Sequence, residues 1–194
     1  MQRISRQFLH RLWSPTSFAT MPQVLVKPWE NFINDRRISK NSLIHEIYYS
    51  DFLKPGHDQY VYRHANGLCV VGLAPSHAAL REEGGVTAVN FNVGKSDRSE
   101  MKVTGKRKRN AQHFDAKTSL CKVCANGKEF IVRCCVKGSL LEVNDRLLKQ
   151  PDLLNSSADR EGYIAIIMPK PIDWAKIKDS LLSHEDYKKL RGLS

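Results

Sequence analysis

The fold is decided by one continuous stretch, TSLCKVCANGKEFIVRCCV, at residues 118–136. Asn126 and Gly127 stand at its centre, and Asn-Gly is the strongest signal for a two-residue type I′ turn between antiparallel strands. With that turn, Val123 pairs with Phe130. Because side chains alternate along a strand, one face collects the apolar residues that we expect in the core: Cys121, Val123, Phe130, Val132 and Cys134. The other face carries the residues that we expect in solvent: Lys122, Glu129 and Arg133.

The same register decides between a zinc site and a buried core for the cysteines. Cys121 and Cys124 form a C-x-x-C pair, and Cys134 with Cys135 could complete four thiolates. In the predicted hairpin, however, Cys121 pairs with Val132 and Cys124 pairs with Glu129, so the two thiols point to opposite faces. Free cysteine is often a small buried hydrophobe, and we expect no metal site here.

Short strands and turns alternate over most of the remaining chain. Period-two patterns bounded by turn residues predict strands at 60–64, 68–73, 86–93, 101–105, 118–125, 128–136 and 162–169. Short helices are predicted at 76–82, 144–150 and 183–190. Ser183 and Asp186 resemble a capping box at the start of the last helix. The fold class is therefore all-β with short peripheral α-helices.

The segment before these strands divides into two parts. Residues 1–40 contain scattered prolines and no sustained period, which predicts a flexible basic arm. Residues 41–58 form a lead-in, in which apolar residues from Ser42 to Leu53 follow a helix-like spacing before Pro55 and Gly56. The β domain is expected to span residues 59–191.

Charge and composition limit the possible partners. The 194 residues carry a formal net charge of +11, which favours an acidic protein surface, nucleic acid or an anionic membrane as partner. The densest positive run follows Lys102 and consists of Lys106, Arg107, Lys108 and Arg109. No run of about eighteen apolar residues is present, so no membrane span is expected.

Several segments resemble a known family. Val136–Asn144 and Glu161–Ile166 are similar to the second half of a glycine cleavage H-protein, a lipoyl carrier, and Val70–Leu80 follows the same pattern. Other segments are similar to the Abitram (Simiate) family: Ser42–Ile44, Lys54–Pro55, Leu68–Val70, Val103–Arg109, Leu120–Lys122 and Gly138–Ile166. The resemblance implies a barrel-sandwich hybrid with a single hybrid motif. It also implies a non-catalytic, actin-binding transcription modulator without lipoylation and without a cofactor, in the nucleus and cytoplasm.

A lipoyl carrier in mitochondria is the alternative. In H-proteins the lipoyl lysine lies at a hairpin tip upstream of the glycine that matches Gly138, and the candidate here is Lys128. The acidic-Ser-x-Lys signature of that lysine is absent, and Lys128 falls beside the turn. The segment before Glu30 contains arginine and serine but no acidic residue, as in a transit peptide.

Enzyme signatures are missing from the sequence. It contains no G-x-S-x-G, H-E-x-x-H or Walker motif. His64, His77 and His113 are dispersed, and their spacing does not suggest a catalytic triad. We therefore expect Lys102 and the run Lys106–Arg109 to bind a partner, with actin implied by the resemblance and nucleic acid or another acidic protein as further candidates.

Overall fold

The computed structural model describes residues 46–50, 56–94, 96–99, 101 and 111–193. The predicted arm at 1–40, the predicted strand after Met101 and the basic run lie outside the described residues.

In these residues the chain forms twelve strands. They are β1 (Glu46–Ser50), β2 (Gln59–Arg63), β3 (Cys69–Leu73), β4 (Val86–Asn90), β5 (Asn92–Val93), β6 (Ser96–Asp97), β7 (Gln112–Phe114), β8 (Ser119–Ala125), β9 (Lys128–Arg133), β10 (Gly138–Val143), β11 (Ala165–Met168) and β12 (Leu181–Ser183). Each pairing among them is antiparallel. The predicted all-β class is therefore confirmed.

The described strands form two sheets, which enclose the core, and a separate two-stranded ribbon. The larger sheet has the order β12-β1-β2-β3-β11-β10-β7, the smaller has the order β4-β8-β9, and β5 pairs with β6. Val61 and Val71 of the larger sheet belong to the same buried cluster as Val123 and Val132 of the smaller one. The inner faces of the two sheets thus form one hydrophobic core.

The predicted hairpin register is confirmed. Val123 pairs with Phe130, Cys121 with Val132 and Cys124 with Glu129. The predicted core face is buried throughout, Phe130 being its most exposed member at 8%. On the other face Glu129 is exposed, and Lys122 and Arg133 are partly exposed.

Among the described residues, four short α-helices and one 3₁₀ helix lie between or after the strands. They are α1 (Ala78–Arg81), the 3₁₀ helix (Asp145–Leu148), α2 (Leu153–Ser157), α3 (Pro171–Lys178) and α4 (His184–Arg191). The predicted helices at 76–82, 144–150 and 183–190 are confirmed, the second as 3₁₀. Ser183 caps α4 as predicted, because its Oγ accepts from the backbone N–H of Asp186 at 3.1 Å.

The predicted lead-in helix from Ser42 to Leu53 is wrong where the structure describes it, because residues 46–50 form β1. This strand pairs with β2 on one side and β12 on the other. Both of its faces are covered: Tyr48 joins the large core, while Tyr49 stacks on Tyr187 with ring centroids 3.7 Å apart. A strand buried on both faces has consecutive apolar residues, so spacing alone does not distinguish it from a helix.

Side-chain amides connect elements that no strand ladder joins: Gln59 links the two sheets, and Asn155 links helix α2 to β4. Gln59, fully buried in β2, donates from Nε2 to the carbonyl of Arg133 at 2.8 Å and accepts from the Arg133 N–H at 2.9 Å. Asn155 forms the same kind of pair with Val86, at 2.8 Å and 3.0 Å. A buried amide with both ends satisfied costs little and fixes position.

Gly138 is needed for a close approach between strands. A Cβ atom at this position would lie 2.6 Å from the carbonyl oxygen of Met168. Backbone atoms cannot yield as a flexible side chain can, so any larger residue would push β10 away from the end of β11.

We predict that Phe130→Ala destabilises the protein by about 3 to 5 kcal/mol, as large-to-small changes in a core do. Ile131→Ala is the matched control, because Ile131 is the next residue of β9 and is 40% exposed. Its free energy of unfolding should change by less than about 1 kcal/mol. Urea unfolding of both variants measures the difference, and equal stability would contradict the observed register.

Candidate functional site

The tip of the β8–β9 hairpin is the position that carries the lipoyl lysine in H-proteins. Asn126 and Gly127 have positive φ angles of 47° and 69°, as a type I′ turn requires. Ala125 and Lys128 form the last pair of the ladder. The turn residues therefore occupy the tip, and Lys128 begins the returning strand.

The amine of Lys128 is held by a carboxylate. Its Nζ lies 2.7 Å from Oε1 of Glu82, which follows helix α1. Asn126 donates from Nδ2 to the other oxygen of Glu82 at 3.3 Å. Hydrogen bonds from Lys128 and Asn126 lower the pKa of Glu82, so the carboxylate stays ionised. The lysine side chain is solvent-exposed, but its amine faces α1.

The five residues predicted to bind a partner, Lys102 and Lys106–Arg109, lie outside the described residues. Met101, just before them, accepts from the N–H of Val143 and donates to the carbonyl of Arg98. Met101, the described residue that precedes the basic run in sequence, is thus attached to the β domain by its backbone.

The cysteines are structural. Cys69, Cys121, Cys134 and Cys135 are buried, and Cys124 is partly buried. Burial raises the pKa of Cys69 to about 11 and that of Cys134 to about 12, so both thiols are neutral near pH 7. In the part of the chain that the structure describes, no three His, Cys, Asp or Glu side chains are grouped to hold a metal ion.

His64, His77 and His113, the histidines weighed as a possible catalytic group, have separate surroundings. His64 Nδ1 accepts from the N–H of Asn66 at 3.1 Å, and His113 Nδ1 lies 2.8 Å from Ser139 Oγ. His77 is fully buried at the start of α1, where its Nδ1 accepts from the N–H of Ala79. The three do not form one site.

His77 belongs to an aromatic cluster that the sequence did not reveal. Its ring contacts Phe130 at 5.7 Å and His57 at 5.9 Å between centroids. Burial lowers the pKa of His77 to about 4, and nearby His57 adds to this, while Asp58 acts in the opposite direction. His77 is therefore neutral near pH 7.

A buried polar network around Asp58 was also missed. Arg191 of α4 donates to both of its oxygens, at 2.6 Å from Nη2 and 3.1 Å from Nε. Ser76 donates to Asp58 at 2.5 Å and lies 2.6 Å from the hydroxyl of Tyr187. These contacts attach the last helix to the β domain. Asp58 and Arg191 are 133 residues apart, so no spacing pattern could have indicated the pair.

No helix of the described residues is both long enough and apolar enough to cross a membrane.

Comparisons with known proteins agree with this geometry. The model of the glycine cleavage H-protein family matches residues 52–192. The crystal structure of a glycine cleavage system H protein from Mycobacterium marinum superposes with a TM-score of 0.51 at 15% identity, covering 75% of this chain and 97% of that one. At this identity the structural likeness shows the fold alone. The fold is that of the glycine cleavage H-protein class, as the sequence predicted.

Sequence comparison with curated relatives identifies the family of the chain more closely. It is 38% identical over 137 residues to protein Abitram of Dictyostelium discoideum, covering 70% of this chain and 75% of that protein. The human protein Abitram is 35% identical over 135 residues, covering 69% and 75%. The bovine one is 34% identical over 139 residues, covering 71% and 74%. The chain belongs to the Abitram family.

We predict that His77 makes stability depend on pH. The pKa of His77 in the folded protein is about 4, below the ordinary 6.5. The free energy of unfolding is therefore highest above pH 6.5 and falls as the pH drops towards 4, because the unfolded state binds the proton more readily. The loss relative to pH 7 amounts to about 3 kcal/mol. His77→Asn keeps an acceptor for the cap of α1 but does not titrate. Urea midpoints at pH 7.5, 6 and 5 should therefore fall less in this variant. Parallel curves would exclude His77 as the cause.

We predict that Lys128 is not lipoylated. The intact mass of the protein, isolated from cells with an active lipoyl ligase, should show no lipoyl or octanoyl adduct. An H-protein produced in the same cells is the positive control. An adduct at full occupancy that disappears in Lys128→Arg would show that the hairpin tip serves as a carrier site.

Proposed function

We propose that the chain is a non-catalytic binding module that binds actin. The arrangement at the hairpin tip is the observation that favours a binding module over a lipoyl carrier. A carrier must present a free lysine amine at the tip, whereas here Asn126 and Gly127 form the tip and Lys128 is paired with Glu82. The lipoyl group supplies the chemistry of a carrier protein. A fold without a free lysine to attach that group can act only through the residues on its surface.

The charge of the chain supports an acidic partner. The net charge is +11, and the run Lys106–Arg109 is its densest part. Exposed like charges contribute little to stability, but they accelerate association with a surface of opposite sign. Actin is the partner that the family resemblance implies, and Lys102 with Lys106, Arg107, Lys108 and Arg109 is the surface we assign to it.

Direct nucleic-acid binding would use the same charges and is a second partner for that run. No aromatic residue alternates with the cations there, so bases have no stacking surface. Phosphate contacts alone would give binding without sequence preference. The actin proposal includes a nuclear and cytoplasmic location, whereas a protein confined to the mitochondrial matrix and lacking its first residues would support the carrier.

We predict that replacing Lys106, Arg107, Lys108 and Arg109 by Gln leaves the melting temperature unchanged but weakens binding to actin filaments. The effect should decrease as salt rises, because exposed charges are screened beyond about 10 Å at 0.1 M salt. Co-sedimentation with filaments at low and moderate salt measures it.

The matched control removes four exposed lysines elsewhere, at Lys149, Lys170, Lys176 and Lys189. A similar loss in both variants would show that net charge, not the run, governs binding. Wild-type protein that fails to sediment with filaments at any salt concentration would refute the actin proposal. Adding duplex DNA as a competitor tests the second partner.

A further inference from the structure

Arg98 is a buried cation for which the described residues supply no ion pair. It lies directly after β6 and is only 7% exposed. None of the ion pairs among the described residues includes it. Within the same part of the chain, its buried Nε has no hydrogen-bond partner. Buried arginines are rarely left without a partner, because removing the charge from water is costly.

The contacts that Arg98 does make compensate only in part. Its Nη1 donates to the carbonyl of Val93 at 3.3 Å. Its guanidinium lies over the ring of Phe114, 4.8 Å from the centroid. Both contacts orient the guanidinium. A carbonyl dipole and an aromatic quadrupole carry no net charge, however, so they do not neutralise the positive charge of Arg98.

Two buried thiols near Arg98 do not neutralise it either. Cys121 and Cys134 are close enough for its charge to favour their thiolate forms. Burial nevertheless dominates and raises the pKa of both, that of Cys134 to about 12. Both thiols therefore keep their protons near pH 7 and do not compensate the charge of Arg98.

Arg98 lines a cavity of about 270 Å³. Its walls combine that guanidinium with two hydroxyl side chains, one lysine and apolar surface: Val93, Gly94, Arg98, Thr118, Ser119, Lys122 and Ile131. Lys122 is already paired with Glu129 at 2.7 Å. The cavity therefore offers one unbalanced positive charge. Ile131, 40% exposed, supplies an apolar edge.

We propose that this cavity binds a single carboxylate, presented by an Asp or Glu side chain of a partner protein. A planar guanidinium matches a planar carboxylate with two parallel hydrogen bonds. One negative charge balances one unpaired cation, whereas a phosphate carries nearly two. The volume holds an acidic side chain with its methylene groups, since a water molecule takes only about 30 Å³. The assignment does not depend on which partner binds the basic run.

The test is a titration of the full-length, ¹⁵N-labelled protein with N-acetyl-glutamate amide, followed by the side-chain Nε–Hε resonance of Arg98. Sodium chloride and sodium phosphate at matched ionic strength are the comparison arms. We expect saturable shifts with the glutamate probe, with half-saturation at or below the order of 50 mM, as a single ion pair gives weak affinity. Chloride should produce no saturable shift.

Variants identify the group responsible. Because the Arg98 resonance is lost in two of them, binding to all variants is followed by the backbone amide resonances of Gly94 and Ser119 in the cavity wall. Arg98→Met should weaken binding of the glutamate probe roughly tenfold to a hundredfold, as loss of a charged hydrogen bond does. Arg98→Lys keeps the charge without the paired donors and should also bind more weakly, which retains the comparison if the Met variant does not fold. Lys122→Gln is the control at the same cavity and should bind nearly as well as wild type.

Three results would overturn the proposal. The first is no saturable shift with the glutamate probe. The second is an equal response to chloride, which would mean general screening. The third is tighter binding of phosphate than of the carboxylate, which would contradict the assignment to a singly charged group.

Discussion

The hydrogen-bonded pair between the Gln59 side chain and the Arg133 backbone connects the two sheets, and the arrangement of the domain depends on it. Gln59 is fully buried in β2, so both ends of its amide must find partners inside the protein. Arg133 offers both, at the end of β9. Because hydrogen bonds are directional, this pair fixes how far β9 extends across the larger sheet, which hydrophobic contact alone does not. Asn155 of helix α2 fixes the position of β4 relative to that helix in the same way, through Val86.

These connections determine the chemistry available at the surface. With β4, β8 and β9 held in place, helix α1 and the hairpin tip meet, and Glu82 comes within hydrogen-bond distance of Lys128. The same positions place Arg98 beside β8, against Phe114 and the buried thiols. One rigid scaffold thus produces an ion-paired amine beside the tip and, among the described residues, a guanidinium without an ion pair beside the same hairpin. In both places the charge is oriented by the backbone arrangement before any partner arrives, which reduces the cost of binding.

The sequence predicted those parts of the fold in which two independent signals agree. At the β8–β9 hairpin, the turn residues and the period-two pattern specify one register, and the structure has it. At β1 the only signal was apolar spacing, which is ambiguous when both faces of a strand are buried. Helix α3 was missed because none of its residues is fully buried, so its apolar pattern is weak. Of the candidate site, the displacement of Lys128 from the tip was predictable from Asn126 and Gly127, but its pairing with Glu82 was not. Arg98 and the Asp58–Arg191 pair depend on contacts between distant segments, which local sequence does not encode.

The separation between scaffold and tip shows how the fold of a lipoyl carrier is compatible with the binding module that we propose. The core, the linking amides and the network around Asp58 involve neither Asn126 nor Lys128. The core contacts therefore do not require a particular side chain at the tip, provided that the turn keeps residues that tolerate positive φ angles. The fold by itself does not imply a carrier. On the surface of such a scaffold, long-range and short-range charges have different effects. In the proposed function, the basic run attracts an acidic partner from a distance, and salt weakens this attraction. A buried guanidinium in a small cavity acts only on contact, is little screened, and selects the shape and charge of the group that enters. The two features can therefore act in sequence on one partner, the run bringing it close and the cavity fixing how it docks.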